Sequence, residues 1–90
     1  MTKVKICGIT NLEDAKASIY AGCDALGFVF YRKSPRYIAP KIAKAIIKSL
    51  PKNILKVGVF VNSKEKTIKK IAKFCGLDIL QFHGNESTGF

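Results

Sequence analysis

The sequence predicts an α/β fold of parallel (β/α) units, with about four strands and three helices. Short runs of apolar and β-branched residues alternate with longer stretches in which isoleucines recur at helical spacing. The run from 25 to 30 is almost continuously apolar, which is typical of a parallel strand covered on both faces. Gly22 and Gly76 each follow a helical stretch, where a left-handed residue commonly ends a helix. These observations favour the element order βαβαβαβ.

The first strand and the start of the first helix place a thiol at a functionally interesting position. The strand ends at Cys7, and Gly8 then allows the backbone to leave the extended conformation. Thr10, with Glu13 three residues later, predicts a capping box at the start of a helix over Leu12 to Ala21. Ligands and catalytic groups collect at the carboxyl edge of parallel sheets, so Cys7 lies where chemistry is expected.

The later elements are bounded by prolines, glycines and polar residues. Pro40 predicts the first turn of the second helix, where its missing N–H costs nothing. Asn62, with Glu65 three residues later, predicts the cap of the third helix. Gly84-Asn85-Glu86-Ser87 predicts a further strand-to-helix turn. The remaining strands are predicted at 25–30, 55–61 and 79–83.

An internal repeat accompanies this alternation. Segments 22–28 and 76–82 share the pattern Gly-x-Asp-x-Leu-x-Phe. Two copies of a strand–helix–strand unit joined by a helix explain the pattern, and (β/α) barrels are built from such units; chance similarity is the alternative. Asp24 and Asp78 precede strands, so we interpret them as structural hydrogen-bond acceptors rather than catalytic acids.

The length and composition indicate one domain, residues 1–90, in a cytoplasmic protein. No apolar run approaches the roughly 18 residues of a membrane span, and the amino terminus shows no signal-peptide core. The three cysteines lack Cys-x-x-Cys spacing and predict neither a disulfide framework nor a metal site. Cys23 and Cys75 are interpreted as small apolar core residues.

The strongly basic charge has two interpretations. Sixteen basic and six acidic residues give a net charge of +10. The lysines from 41 to 48 and from 66 to 73 recur at spacings of three and four, which is typical of the solvated face of an amphipathic helix. We interpret the charge as helix surface; a non-catalytic basic module that binds nucleic acid is the alternative.

Three kinds of side chain converge on the carboxyl edge of the predicted sheet. Strand alternation places Cys7 on the face opposite the helices, and His83 ends the fourth strand. The loop after the second strand brings Arg32, Lys33 and Arg36 to the same edge. Such a set fits a small anionic substrate and a proton transfer, with a thiolate as base and Arg36 or Arg32 holding a carboxylate or phosphate. The alternatives are a packing thiol, a turn histidine and solvated arginines.

Four regions spread over nearly the whole chain carry a resemblance to a known family: Val4–Thr10, Gly27–Tyr31 with Ser34–Ile38, Val57–Asn62 and Gln81–Gly84. In these regions the sequence resembles the phosphoribosylanthranilate isomerases of tryptophan biosynthesis, which have a TIM-barrel fold. The resemblance implies an isomerase that catalyses the Amadori rearrangement of N-(5-phosphoribosyl)anthranilate to carboxyphenylamino-deoxyribulose phosphate. It implies no metal or organic cofactor.

The resemblance also implies roles for individual residues. Cys7 takes the position of the general base that removes the proton from the sugar C2, Arg36 that of the partner of the anthranilate carboxylate, and His83 lines the same pocket. A (β/α)₈ barrel needs roughly 200 residues, so this chain is expected to be half of a TIM barrel. The family's general acid, an aspartate, and its phosphate-binding loops fall in the other half.

A half-barrel leaves two sheet edges open. We therefore expect the edges to be covered by the missing carboxyl-terminal half or by self-association. Because the general acid and the phosphate site lie in the other half, we expect this amino-terminal fragment to be inactive alone. A purely structural half-barrel that self-assembles is a further alternative.

Overall fold

Strands and helices alternate throughout the part of the chain that the structure describes. A computed structural model describes residues 3–83. Its elements are β1 (Lys5–Cys7), α1 (Leu12–Tyr20), β2 (Ala25–Val29), α2 (Pro40–Lys48), β3 (Leu55–Val61), α3 (Glu65–Cys75) and β4 (Ile79–His83). The strands form one parallel sheet in the order β1-β2-β3-β4. The predicted element order is confirmed, and the turn predicted at 84–87 lies outside the described residues.

The two predicted helix caps are wrong. The N-cap of α1 is Asn11, whose Oδ1 accepts a hydrogen bond from the backbone N–H of Asp14 at 2.8 Å. Thr10 lies one residue too early to cap a helix that begins at position 12. Asn62 instead adopts the left-handed region with φ 51°, and Lys64 is the N-cap of α3 without a side-chain hydrogen bond. Capping residues are common in turns as well, so the pattern alone could not locate the helix start.

The predicted helix boundaries at proline and glycine are confirmed. Pro40 occupies the first turn of α2. Gly76 ends α3 in the left-handed conformation with φ 76°, and Gly22, with φ 97°, follows the end of α1. A side chain at these two glycines would be strained, because the left-handed region is favourable mainly for glycine.

The helices cover one face of the sheet and form the core with it. Leu26, Phe28 and Phe60 are almost completely buried in this layer, and the rings of Phe30 and Phe60 stack with centroids 5.4 Å apart. The helices contribute small and branched apolar side chains to the same cluster: Ala15, Ala43, Ile46, Ile47, Ile68 and Cys75. This convex face therefore matches the amphipathic patterns of the sequence.

The repeated aspartates make the same pair of hydrogen bonds in each unit. The backbone N–H of Val4 donates to Asp24 Oδ2 at 2.7 Å, and the N–H of Asp24 donates back to the Val4 carbonyl at 2.8 Å. Lys56 and Asp78 form the equivalent pair, at 2.9 and 2.8 Å. We call each pair an aspartate clasp. The clasps tie the start of one strand to the turn before the next, which confirms the structural interpretation of both aspartates.

The other face of the sheet is strongly concave. Ala25, Val29, Val57 and Val59 are buried there, outside the cluster that contains the helices. The side chain of Lys5 donates a hydrogen bond to Gln81 Oε1, although β1 and β4 are the outermost strands. A side-chain contact across three strand spacings requires the sheet to curl, because neighbouring strands lie about 4.8 Å apart. The sheet is thus an open half-cylinder.

Apolar side chains are exposed along both edges of the half-cylinder. Val4 and Ile6 are 46% and 38% exposed beside β1, and Leu80 and Phe82 are 37% and 48% exposed on β4. In a closed barrel, further strands and helices cover such positions.

Between residues 3 and 83, no helix combines the length and apolar character of a membrane span.

Candidate functional site

Cys7 lies on the concave face at the carboxyl end of β1. Its side chain is exposed, and its Sγ lies 3.0 Å from the point that a Cβ at Gly27 would occupy. The missing side chain of Gly27 therefore provides the space for the thiol. Beyond the strand, the N–H groups of Gly8 and Ile9 both donate to the Gly27 carbonyl at 3.0 Å. Cys7 thus sits where strand alternation predicts it, and its backbone is fixed on both sides.

The loop after β2 is held in a defined conformation that presents Arg36. The hydroxyl of Ser34 accepts a hydrogen bond from the N–H of Arg36 at 3.0 Å. The N–H of Ile38 donates to the Val29 carbonyl at 3.0 Å, so the loop returns to the end of β2. The Ser34 bond is typical of serine, whose hydroxyl commonly forms such turns.

Arg36 is the arginine that the structure brings beside Cys7. Its Cγ lies 3.2 Å from the position that a Cβ at Gly8 would take, and Gly8 has φ 89°. Arg32 instead lines a groove on the helix side of the sheet with Lys70 and Phe74. Within residues 3–83 the guanidinium of Arg36 forms no ion pair. Its side chain is exposed, and its stem lies against the residue that follows Cys7.

His83 is the last residue of β4 and pairs in register with Val61. The four strands are parallel, so His83 and Cys7 both lie at carboxyl ends, on the two opposite edges of the half-cylinder. The structure thus places the stem of Arg36 over Gly8, the residue after Cys7, and places His83 at the end of the opposite outer strand.

Sequence reasoning missed the residues that shape the site. Gly8 and Gly27 provide room for Arg36 and Cys7, and the bridge between Lys5 and Gln81 crosses the floor beneath them. One signal was available for Gly27, because a glycine within a strand often marks a close approach of neighbouring groups.

The other two cysteines are buried, as predicted. Burial raises the pKa of the Cys75 thiol above its ordinary value, and its Sγ donates to the Pro40 carbonyl at 3.4 Å. Burial and, to a lesser extent, the charge of Asp24 raise the pKa of Cys23. Both thiols are therefore protonated at neutral pH. The described residues contain no group of three metal-ligating side chains.

The lysine-rich helices present their charge to solvent. The lysines at 66, 69, 70 and 73 are exposed on α3, and Lys69 pairs with Glu65 one turn earlier at 3.4 Å. The ammonium of Lys44 on α2 lies 4.3 Å from the centroid of the Phe74 ring. This arrangement is the solvated helix surface that the spacing predicts.

Comparison with known proteins identifies the family. The model of the family N-(5'phosphoribosyl)anthranilate (PRA) isomerase matches residues 4–90. The chain belongs to the PRA isomerase family. The N-(5'-phosphoribosyl)anthranilate isomerase of Citrifermentans bemidjiense is 56% identical over all 90 residues. The chain covers only 44% of that relative, so it spans less than half the length of a curated PRA isomerase.

Solved PRA isomerase structures have the same fold as this chain. The crystal structure of phosphoribosyl anthranilate isomerase from Thermotoga maritima superposes with a TM-score of 0.93 at 51% identity, over 98% of this chain and 43% of that one. A PRA isomerase in complex with reduced 1-(o-carboxyphenylamino)-1-deoxyribulose 5-phosphate also has a TM-score of 0.93, at 51% identity, over 98% of this chain and 45% of that one. The predicted fold, half of a TIM barrel with four parallel strands and three helices, is confirmed.

Proposed function

We propose that this chain is the amino-terminal part of an isomerase of tryptophan biosynthesis that converts N-(5-phosphoribosyl)anthranilate to carboxyphenylamino-deoxyribulose phosphate. The observation that carries the proposal is an exposed thiol at the carboxyl edge of a parallel sheet, with the stem of Arg36 over the next residue, Gly8. A relative with the same fold binds a reduced form of this product, which supports the substrate class.

Cys7 is proposed as the general base. In an Amadori rearrangement the opened sugar is an iminium at C1, and a base removes the proton from C2. The electron pair left behind forms a C1–C2 double bond while the C–N π pair moves to nitrogen, and the resulting enolamine becomes the ketose as C1 gains a proton and the C2 hydroxyl loses one. A base for this step must reach the substrate, and Cys7 is exposed on the concave face with a fixed backbone. The neighbouring Gly27 leaves its sulfur free of side-chain crowding on β2.

Arg36 and His83 are proposed as substrate-binding residues. The guanidinium fork matches the two oxygens of a carboxylate, so Arg36 is suited to hold the anthranilate group. Its stem crosses Gly8, which directly follows Cys7, so a substrate held by Arg36 has its sugar within reach of the sulfur. His83 is proposed to line the same pocket from the opposite edge.

The remaining parts of the catalytic machinery are proposed to lie outside this chain. The general acid that opens the ribose ring and the phosphate-binding loops belong to the carboxyl-terminal half of the barrel. We propose that residues 1–90 are a single, incomplete domain that is inactive alone, that needs no metal or organic cofactor, and that works in the cytoplasm.

Reconstitution in two parts tests this function. The 90-residue chain is mixed with the carboxyl-terminal half of a close relative, and the loss of phosphoribosylanthranilate is followed by its fluorescence. We expect activity from the mixture and none from either part. The Cys7→Ala variant should abolish the activity, whereas Cys23→Ala, which removes a buried thiol, should retain it. Full activity of the Cys7→Ala mixture would exclude Cys7 as the base.

The open edges are proposed to be covered by that missing half or by a second copy of this chain. The exposed apolar side chains on β1 and β4 support this proposal, because unpaired strand edges favour association. Sedimentation of the chain alone should show self-association or a partly molten state. A sharply folded monomer would contradict it, and loss of the oligomer on addition of the other half would identify the preferred partner.

A further inference from the structure

The hydrogen bond between Lys5 and Gln81 connects the two outermost strands of the half-cylinder. Backbone pairing links each strand only to its neighbour, so β1 and β4 are otherwise related through two intervening strands. The Lys5 ammonium donates to the side-chain oxygen of Gln81 across the concave face. This bridge passes over a cavity floor that includes Ala25 and Val57, and Val57 is 2% exposed.

The bridge lies one layer beneath the proposed site. Lys5 is two residues before Cys7 on β1, and Gln81 is two residues before His83 on β4. Because side chains on a strand alternate between faces, positions two apart share a face. The bridge therefore joins the same two strands that carry Cys7 and His83, immediately below those positions.

We propose that Lys5 and Gln81 are positioning residues, which set the separation between the two site edges. The inference rests on the proposed function, since it assigns the bridge a role in the same site. A substrate held by groups on both edges needs a fixed distance between them, and a shift of about 1 Å can cost a factor of about 100 in rate. Lys5 donates to a neutral amide, and within residues 3–83 its ammonium forms no ion pair.

The first test measures geometry without catalysis. A nitroxide attached to Cys7 broadens NMR signals of nearby protons, and Cys23 and Cys75 are buried from the reagent. In the 90-residue chain bound to the carboxyl-terminal half, with only the 90-residue part isotope-labelled, we expect broadening of the β4 amides, and measurably weaker broadening in Gln81→Leu. Gln81→Glu, which keeps an oxygen acceptor, should restore it. Unchanged broadening in Gln81→Leu, or none in the parent chain, would overturn the proposal.

The second test measures kinetics in the two-part enzyme. Lys5→Met and Gln81→Leu should each lower kcat about 10- to 100-fold, with KM changed less than about threefold, because the geometry and not the affinity is lost. The double variant should be no worse than either single variant, because both remove the same bond. Lys3→Met is the matched control, since it removes a charge beside the same cavity without breaking the bridge.

The outcomes separate this inference from the proposed function. An inactive parent mixture would count against the function, while the NMR measurement would still decide whether the bridge sets the distance. Retention of kcat within twofold in both single variants would overturn the positioning role. Loss of stability with unchanged kcat would show that the bridge is only structural, and Gln81→Glu should then rescue the stability alone.

Discussion

The two aspartate clasps provide a quantitative test of the interactions that hold the strand–helix–strand units together. Each clasp has a carboxylate that accepts a backbone N–H, but the surroundings differ. Val4 is 46% exposed, so water can replace the acceptor when Asp24 is removed. The Lys56 side chain is only 12% exposed, and its ammonium lies 4.0 Å from Asp78 and 3.5 Å from the Pro51 carbonyl. The second clasp therefore also compensates a largely buried cation.

The magnitudes follow from these surroundings. A hydrogen bond to a charged group contributes about 1.5–3 kcal/mol, and water replacement reduces that value at exposed sites. We expect Asp24→Ala to lower the free energy of unfolding by about 1 kcal/mol, which is below the range for charged partners and close to the average for hydrogen bonds in general. Asp78→Ala should cost about 2–3 kcal/mol, because it leaves the Lys56 ammonium with fewer partners.

Asparagine variants separate hydrogen bonding from charge. Asp24→Asn keeps an oxygen for the Val4 N–H and should cost about 0.5 kcal/mol, since a neutral hydrogen bond keeps about half the value of a charged one. Asp78→Asn should cost about 1 kcal/mol more than Asp24→Asn, because among residues 3–83 Asp78 forms an ion pair and Asp24 does not. The assay is urea unfolding of the 90-residue chain, followed by circular dichroism at one fixed protein concentration. An Asp24→Ala variant as costly as Asp78→Ala would refute the reasoning.

Three further predictions concern the cysteines and the first helix. In the native chain, Ellman's reagent should modify Cys7 rapidly and Cys23 and Cys75 only on unfolding, because only Cys7 is exposed; fast reaction of all three would contradict the buried core. Burial raises the pKa of both buried thiols, so above about pH 8.5 the unfolded chain releases protons that the native chain keeps. The free energy of unfolding should therefore fall as the pH rises through that range, and Cys75→Ala should weaken the fall in a pH series of urea titrations. Asn11→Ala should cost about 1 kcal/mol by urea unfolding, whereas Glu13→Ala should cost much less, because Asn11 and not a capping box starts α1.

The sequence predicts the scaffold of this half-barrel well because that scaffold depends on local rules. Proline restricts the backbone and glycine permits the left-handed conformation. The structure places Pro40 at the start of α2 and Gly76 at the end of α3, as predicted. The third and fourth strands match their predicted bounds, since each is a short apolar run between polar turns. The predicted N-cap of α3 was wrong because the local rule is ambiguous there: Asn62 can stabilise a left-handed turn as easily as a helix start.

The site was predictable in position but not in detail. Period-two alternation gives the face and the strand end gives the edge, so Cys7 could be placed from sequence. Which arginine approaches this strand end depends on the path of a loop, and in the structure it is Arg36, held by the Ser34 turn, whose stem lies against Gly8. The bridge from Lys5 to Gln81 depends on the curvature of the whole sheet, which no local pattern encodes.

The internal repeat explains why the proposed base lies in the first unit and has no counterpart in the second. The clasps and the strand registers make Lys5 equivalent to Val57, so Cys7 is equivalent to Val59, and Gly27 to Gln81. In the first unit the small Gly27 leaves room for the sulfur of Cys7, whereas in the second unit Val59 is buried beneath the concave surface. The hydrogen bonds between each aspartate and the strand before it are therefore the same in both units. The units differ in the residue on the concave face, which is Cys7 in the first and Val59 in the second. Transferring the thiol alone to position 59 would not create a second site, because neither the glycine beside it nor a loop like that of Arg36 accompanies it.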